Sequence, residues 1–264
     1  MVMTIAKPIL YQNMSKYQLA SRPGHRASEH LFVLKSIMID YEEKNKPILF
    51  ASYDLRKMFD SEKLTDCMGE IYNSNIKGKV YRMIYKMNED MSVKVNTPVG
   101  VTESAKVGDI VTQGGVDAGI LSAVNIDNGM NDAFEDVESD VKYVDLEVKF
   151  QIYMDDIGKL SESVEAAQDA NKRIERLMES KLLDLNLKKT NFMVIGKKKC
   201  TKQLRKKLER NPLMIYDTIM REVNKIQFLG EEICQTHEES VHQTIIKRIG
   251  IAKKAIFEIK KYAQ

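Results

Sequence analysis

VDLEVKFQIYMDDIGKL, residues 144–160, alternates apolar and polar side chains as far as Ile152 and resumes after Met154-Asp155-Asp156. A period of two sends successive side chains to opposite faces of an extended strand, so the pattern predicts a β-hairpin whose tight turn carries two adjacent carboxylates. A second apolar run, ILFASY at 48–53, predicts a short buried strand that ends on Asp54. Acids at strand ends and in turns usually serve solubility or turn formation, and neither feature alone says more than that. If the two strands are neighbours the reading changes. Carboxylates about 4 Å apart repel by roughly 4 kcal/mol at an effective dielectric near 20 and require a counter-charge.

Hard oxygen ligands with room for water and phosphate suit Mg²⁺, with Mn²⁺ as the alternative. Two such ions about 3.5–4 Å apart can activate a 3′-hydroxyl and stabilise a leaving pyrophosphate. The chemistry favoured is nucleotidyl transfer. Outward from these strands, residues 27–41 predict a helix with Leu31, Leu34, Ile37 and Met38 on one side, ended by Asn45-Lys46-Pro47. Helices are expected at 61–74, 79–88 and 116–134, and from the N-cap Ser163 to about 185. Hairpins are expected around Pro98–Gly100 and, over 226–233, around Gly230, with a strand at 192–195. A last helix over 241–259 carries Ile245, Ile249, Ala252, Ile256 and Ile259 on its apolar side. Short apolar strands alternating with longer amphipathic helices, with no repeat, low-complexity tract or linker, suggest α+β or α/β, and the α+β class is the expectation carried forward.

At 264 residues the chain can bury a substantial core. Cys67, Cys200 and Cys234 are far apart and lack metal-ligand spacing, which argues against a disulfide framework or structural zinc and for a reducing, intracellular setting, nuclear or cytoplasmic. No run approaches eighteen apolar residues, so no membrane partner is expected. The fifteen Met read as core filler. Net charge is only +3, from 41 basic and 38 acidic residues, but it is unevenly distributed. Residues 188–210 hold ten Lys/Arg against one acid, while 132–147 hold seven acids against one Lys.

Ala51-Ser52-Tyr53-Asp54-Leu55-Arg56-Lys57-Met58-Phe59-Asp60, then Thr112-Gln113-Gly114-Gly115, then Tyr153-Met154-Asp155-Asp156 resemble the ordered motifs of reverse transcriptases. Arg22-Pro23-Gly24-His25-Arg26 followed by Glu29-His30-Leu31-Phe32 is similar to a fingers motif of the non-LTR retrotransposon enzymes. Asn186-Leu187-Lys188-Lys189-Thr190 resembles the lysine-bearing motif behind the active site, and Gln227-Phe228-Leu229-Gly230 the primer-grip hairpin. Met58, Thr112 and Met154 depart from the non-LTR pattern and leave a group II intron-like or other bacterial enzyme as runner-up. A viral RNA polymerase would usually carry an acid in place of Phe59 and Gly-Asp-Asp at the hairpin.

The resemblance implies an RNA-directed DNA polymerase palm, an antiparallel sheet with helices packed on one face. It implies partial fingers at 1–47, palm at 48–235 and the start of a thumb helix at 236–264. Asp54 and Asp155 would bind both metal ions, with Asp156 a weaker ligand and Lys189 near the pyrophosphate as a general acid. Phe59, Gln113, Gly114 and Tyr153 would meet the incoming deoxynucleotide, with Phe59 excluding a 2′-hydroxyl. Arg22, Arg26, Leu229, Gly230, Lys253 and Lys254 would touch nucleic acid, and residues 197–210 would add phosphate contacts. The implied partners are an RNA template, a DNA primer and deoxynucleoside triphosphates, and the chain is expected to be a piece of a larger polyprotein. The alternative is a decayed or domesticated element fragment that binds nucleic acid without catalysis.

Overall fold

The computed structural model describes residues 2–262 apart from 90, 113, 116 and 145, with side chains as far as residue 256. The chain opens with α1 (Val2–Asn13) and α2 (Ala27–Glu43) and enters β1 (Ile48–Asp54). Next come α3 (Met58–Ser61), α4 (Leu64–Asn73) and α5 (Gly78–Asn88). The segments β2 (Ser92–Val93), β3 (Asn96–Thr97), β4 (Gly100–Val101) and β5 (Ala105–Lys106) nest as a projecting hairpin, and α6 (Ala118–Ala133) follows. A small hairpin of β6 (Lys142–Tyr143) and β7 (Leu146–Glu147) precedes the pair β8 (Gln151–Tyr153) and β9 (Asp156–Ser161). Then come α7 (Val164–Lys181), β10 (Asn191–Ile195), α8 (Lys198–Arg210), β11 (Met214–Ile215), β12 (Thr218–Ile219) and β13 (Arg221–Glu222). The hairpin of β14 (Lys225–Phe228) and β15 (Glu231–Cys234) leads into α9 (His237–Tyr262).

Five strands form the central sheet in the order β13-β10-β1-β9-β8, antiparallel except for the parallel β10–β13 pair. Central position explains why β1 reads as an unbroken apolar run, since both its faces are buried. Leu49, Ala51 and Tyr53 belong to a rear core with side chains from α6, α7 and α8. Ile48 and Phe50 belong to a front core with α2 and the β14–β15 hairpin. The expected helix-covered face is therefore present, and the other face is also partly roofed.

Local chemistry sets the helix ends. Ser163 Oγ accepts from Ala166 N–H at 3.1 Å and caps α7. Leu182, at φ +54°, stops α7 several residues short of the expected 185, leaving Leu183 and Leu185 to bury as a loop. The helix expected over 61–74 is divided, because Glu62 turns inward between α3 and α4. The alternation at 144–152 proves to be two pairings rather than one long hairpin. The helix α1, absent from the sequence reading, contains Pro8 and buries Met3, Ala6 and Leu10 at helical spacing against α4, α5 and α6. All three cysteines are free, and among the described residues no helix is long and apolar enough to cross a membrane.

Gly158 is where the front hairpin meets the sheet. A Cβ at this position would lie 2.8 Å from Phe228 Cζ and 3.0 Å from Phe50 Cε2, within an edge-to-face pair whose ring centroids are 5.3 Å apart. The two rings are fully buried and cannot swing aside. Gly158→Ala is expected to destabilise the fold by about 1–3 kcal/mol through overpacking. Equilibrium denaturation of the variant and parent measures this, and an unchanged midpoint would contradict the packing.

Candidate active site

Strand alternation and register assemble the front of the sheet. Asp54 pairs across the ladder with Asp156, and Tyr153 pairs with Asp156 across the turn. Along β1, even-numbered residues face the front core; along β9, Gly158 and Leu160 do so, and Asp54 and Asp156 keep that parity. Both carboxylates therefore emerge on the side of α2 and the β14–β15 hairpin. Asp155 stands exposed at the tip, and Met154 takes φ +60° to close the turn.

Burial pushes the Asp156 carboxyl up to about 6, with the charges of Asp155 and Asp54 adding to the shift and Lys189 opposing it. Carboxylates on neighbouring strands, with the ammonium of Lys189 beside Asp54, form a donor set suited to a hard divalent cation. Among the described residues no group of three or more His, Cys, Asp or Glu closes into a ready-made metal cluster. The convergent pair is Asp54 and Asp156, with Asp155 reaching from the tip.

The loop after α7 supports Asp54 from behind. Asn186 N–H donates to Asp54 O at 2.8 Å, Arg56 N–H donates to Asp184 O at 2.8 Å, and Asp54 N–H donates to the buried Thr190 Oγ1 at 3.3 Å. Lys189 Nζ lies 3.3 Å from Asp54 Oδ1, which places its ammonium beside this carboxylate. Tyr53, on the opposite face, donates its hydroxyl to Asn171 Oδ1 at 2.7 Å and ties β1 to α7.

Phe59 is half-buried where the rear core meets the core under α1. Gly114 has φ +88°, a conformation in which an L side chain is strained, and nothing lies within 4 Å of a Cβ built there. Gln113 lies outside the described residues. Tyr153 is half-buried on β8. Leu229 and Gly230, at φ +49° and +83°, form the tip of the β14–β15 hairpin. Arg26 is exposed at the start of α2, and Lys253 and Lys254 are exposed on α9, away from the carboxylate cluster in sequence and element.

The Arg22 guanidinium is used within the fold, Nη1 donating to Ser15 O at 2.8 Å and Gln18 O at 3.4 Å. Residues 198–210 form α8, which packs through Leu204 and Leu208 into the rear core. The sequence reading also missed the segment that covers the free edge of β8. Ile152 N–H donates to Tyr17 O at 2.9 Å, and Ile152 O accepts from Leu19 N–H at 3.3 Å and contacts His30 Nε2 at 2.9 Å. Asp127 anchors this segment, accepting from Ser15 N–H at 2.7 Å and Ser15 Oγ–H at 2.5 Å. Only the long-range geometry reveals that role, since nothing in the sequence of α6 sets Asp127 apart from its polar neighbours Asn125, Asn128 and Asn131.

Asp127→Ala is expected to destabilise the protein by about 1–3 kcal/mol, by leaving Ser15 without its acceptor in a largely buried place. Amide exchange at Ile152 should accelerate more than at Val194, which lies in the sheet interior. Equal protection at Ile152 in parent and variant would refute the anchoring role.

Residues 1–233 match the family model described as reverse transcriptase (RNA-dependent DNA polymerase). No curated protein sequence matches the chain. Among solved structures, the fold is similar to apo telomerase from Candida tropicalis truncated from its C-terminal domain, with TM-score 0.62 and 12% identity over 89% of this chain and 44% of that one. Telomerase from Candida albicans, in complex with a TWJ fragment of telomeric RNA, is similar with TM-score 0.63 and 12% identity over 89% of this chain and 36% of that one. The chain thus spans less than half the length of these telomerase chains, and the likeness at this identity concerns the fold.

Proposed function

The chain belongs to the reverse transcriptase (RNA-dependent DNA polymerase) family, and from that membership we propose that it adds deoxynucleotides to a primer 3′-hydroxyl on an RNA template. The observation that carries this reading is the convergence of Asp54 and Asp156 on one sheet face, with Asp155 beside them. Both strand-borne acids are intact, which favours catalysis over a binding-only fragment. The sheet with its rear helices is read as the palm, with fingers at 1–47 and a thumb beginning at 236. A finer assignment to non-LTR retrotransposon enzymes rests on the Arg22-Pro23-Gly24-His25-Arg26 run.

Asp54, Asp155 and Asp156 would hold two divalent cations, Mg²⁺ or Mn²⁺, which when bound supply Lewis-acid activation of the hydroxyl and charge stabilisation of the departing pyrophosphate. The other roles belong to the chain's own side chains. Lys189, already beside Asp54, keeps a positive charge at the rim and is the group proposed to give a proton to the leaving oxygen. The Phe59 ring would lie under the sugar and exclude a 2′-hydroxyl by contact alone. Gly114, lacking a side chain, lets the backbone approach the nascent base pair, to which Gln113 and Tyr153 would add contacts. Leu229 and Gly230 would steady the primer end, with Arg26, Lys253 and Lys254 contributing phosphate contacts that orient the duplex without reading its sequence.

Asp54→Asn and Asp155→Asn are each expected to abolish primer extension while leaving thermal stability close to the parent, and Asp156→Asn is expected to be milder. The assay is extension on an RNA template with and without Mg²⁺, in a form of the protein whose parent is active. Near-parental extension by Asp54→Asn would refute the assignment.

Phe59→Val is expected to raise the ratio of ribonucleotide to deoxynucleotide incorporation, alongside a stability loss of about 3 kcal/mol or less. Because general damage lowers both rates, the ratio is the measurement. No change in it would mean that another residue guards the sugar.

A further inference from the structure

We propose that the outward face of α8 is a phosphate-binding surface for RNA lying outside the catalytic cleft. The helix has already used its apolar side: Thr201, Leu204 and Leu208 are buried against the rear core and the end of β10. What remains outward is almost wholly cationic. Lys197, Lys198, Lys199, Lys202, Lys206, Lys207 and Arg210 are exposed, and Glu209 is the one acid on the helix. Arg205 is taken by Glu222 at 3.0 Å, and Lys207 reaches toward Glu165 at 3.9 Å. Among the described residues, the side chains of Lys197, Lys198, Lys199, Lys202, Lys206 and Arg210 have no ion-pair partner.

Two features of this helix work against its own stability. Lys198, Lys202, Lys206 and Arg210 form a ladder of like charges at i,i+4 spacing, each step of which is unfavourable in an isolated helix. Lys197, Lys198 and Lys199 crowd its N-terminus, where the helix dipole disfavours cations. A helix kept soluble by lysines needs neither arrangement, since acids interleaved on the same face would serve as well. A polyanion along the ladder relieves both.

The patch continues past both helix ends. The turn carrying exposed Lys46 adjoins the N-terminal end, where Asn45 Oδ1 lies 4.0 Å from Cys200 Sγ. At the other end, Arg221 of β13 borders the same cleft as Arg205 and Glu209. The acids along the border are Glu165, Glu209, Glu222 and Glu239, the last two on the β13 and α9 side. At about 1.5 Å per residue the helix is roughly 20 Å long, enough to lie along several phosphates of one strand.

The rear position separates this surface from the duplex track, because Asp54 and Asp156 face the front core. A membrane surface is a poorer fit, since α8 has no free apolar face to insert. The choice of RNA rests on the proposed polymerase function, in which the template extends beyond the few nucleotides held at the carboxylates. The phosphates would be read without base contacts.

The test is binding rather than extension, so that it can fail independently of the catalytic reading. A labelled single-stranded RNA of about 30 nucleotides is titrated with the full chain at salt concentrations from about 50 to 200 mM. The parent is compared with the triple variant Lys198→Gln/Lys202→Gln/Lys206→Gln and with Lys63→Gln/Lys142→Gln/Lys172→Gln, which removes the same charge from exposed sites elsewhere. Three lost phosphate contacts should flatten the slope of log K against log salt by about 2, whereas the control set should keep the parental slope. Melting temperature of the α8 variant should be equal to or above the parent's, as the like-charge ladder is gone. A parental slope in the α8 variant, an equal flattening in the control set, or a loss confined to single-stranded DNA or to anionic phosphatidylserine vesicles would each overturn the proposal. Binding of RNA by Asp54→Asn with the parental slope is expected whether or not that variant extends a primer.

Discussion

The antiparallel pairing of β1 with β9 is the constraint on which the front of the molecule depends. Its register sets Asp54 opposite Asp156, and a slip of one residue by either strand would turn that strand's acid toward the rear core and separate the pair. The register is held from three directions. Tyr53 hydrogen-bonds across the rear to Asn171, Phe50 and Phe228 pack over Gly158 at the front, and the loop after α7 fastens the backbone of Asp54 through Asn186 and Thr190. Uncharged groups thus hold the register, and the Lys189 ammonium beside Asp54 offsets part of the repulsion between the carboxylates.

Behind the segment that leads to Gly114, a buried polar chain runs between the packed helices α4, α6 and α7. Glu62 accepts from Ser122 and from Asn125 Nδ2, Asn125 Oδ1 accepts from Lys181 Nζ at 2.6 Å, and Lys181 also reaches Glu70 at 2.8 Å. Burial pushes the Glu62 carboxyl up, while the hydrogen bonds from Ser122 and Asn125 pull the other way. The carbonyl of Glu62 in turn receives Val111 N–H at 3.0 Å. A network satisfied at each of these atoms adds rigidity where α3, α6 and α7 meet, and removing a single member would leave a buried polar group without a partner.

Elements whose pattern is local were legible in the sequence. The strand ending on Asp54, the turn at Met154-Asp155-Asp156, the Ser163 cap and the hairpin at Gly230 all follow from alternation, burial or turn chemistry within a few residues. Features set by distant contacts were not. Pro8 masked α1, whose helical burial becomes apparent only when α4, α5 and α6 are in place. Glu62, Asn125, Asp127 and Asn171 have the composition of surface residues and are buried because partners arrive from elsewhere in the chain. The basic run at 197–210 was visible, but its side of the sheet was decided by the Leu204–Leu208 stripe packing beneath α7. At the site itself, the acids and Lys189 were found from motif order, and the support given by Thr190 and by residues 17–19 was not, since backbone hydrogen bonding leaves no compositional trace.

The central place of β1 also bears on how the chain is made. A ribosome releases this strand well before its two neighbours, β9 and β10, which lie far downstream in the chain. Until they emerge, the run Ile48–Tyr53 has two unpaired edges and an apolar surface on each side, a condition prone to mispairing with other nascent chains. Pairings across such long sequence separations form slowly. The carboxylate site therefore comes into being only when the strand has received both partners, which makes its assembly a late event and leaves β1 dependent on α2, the preceding helix, for shelter until then.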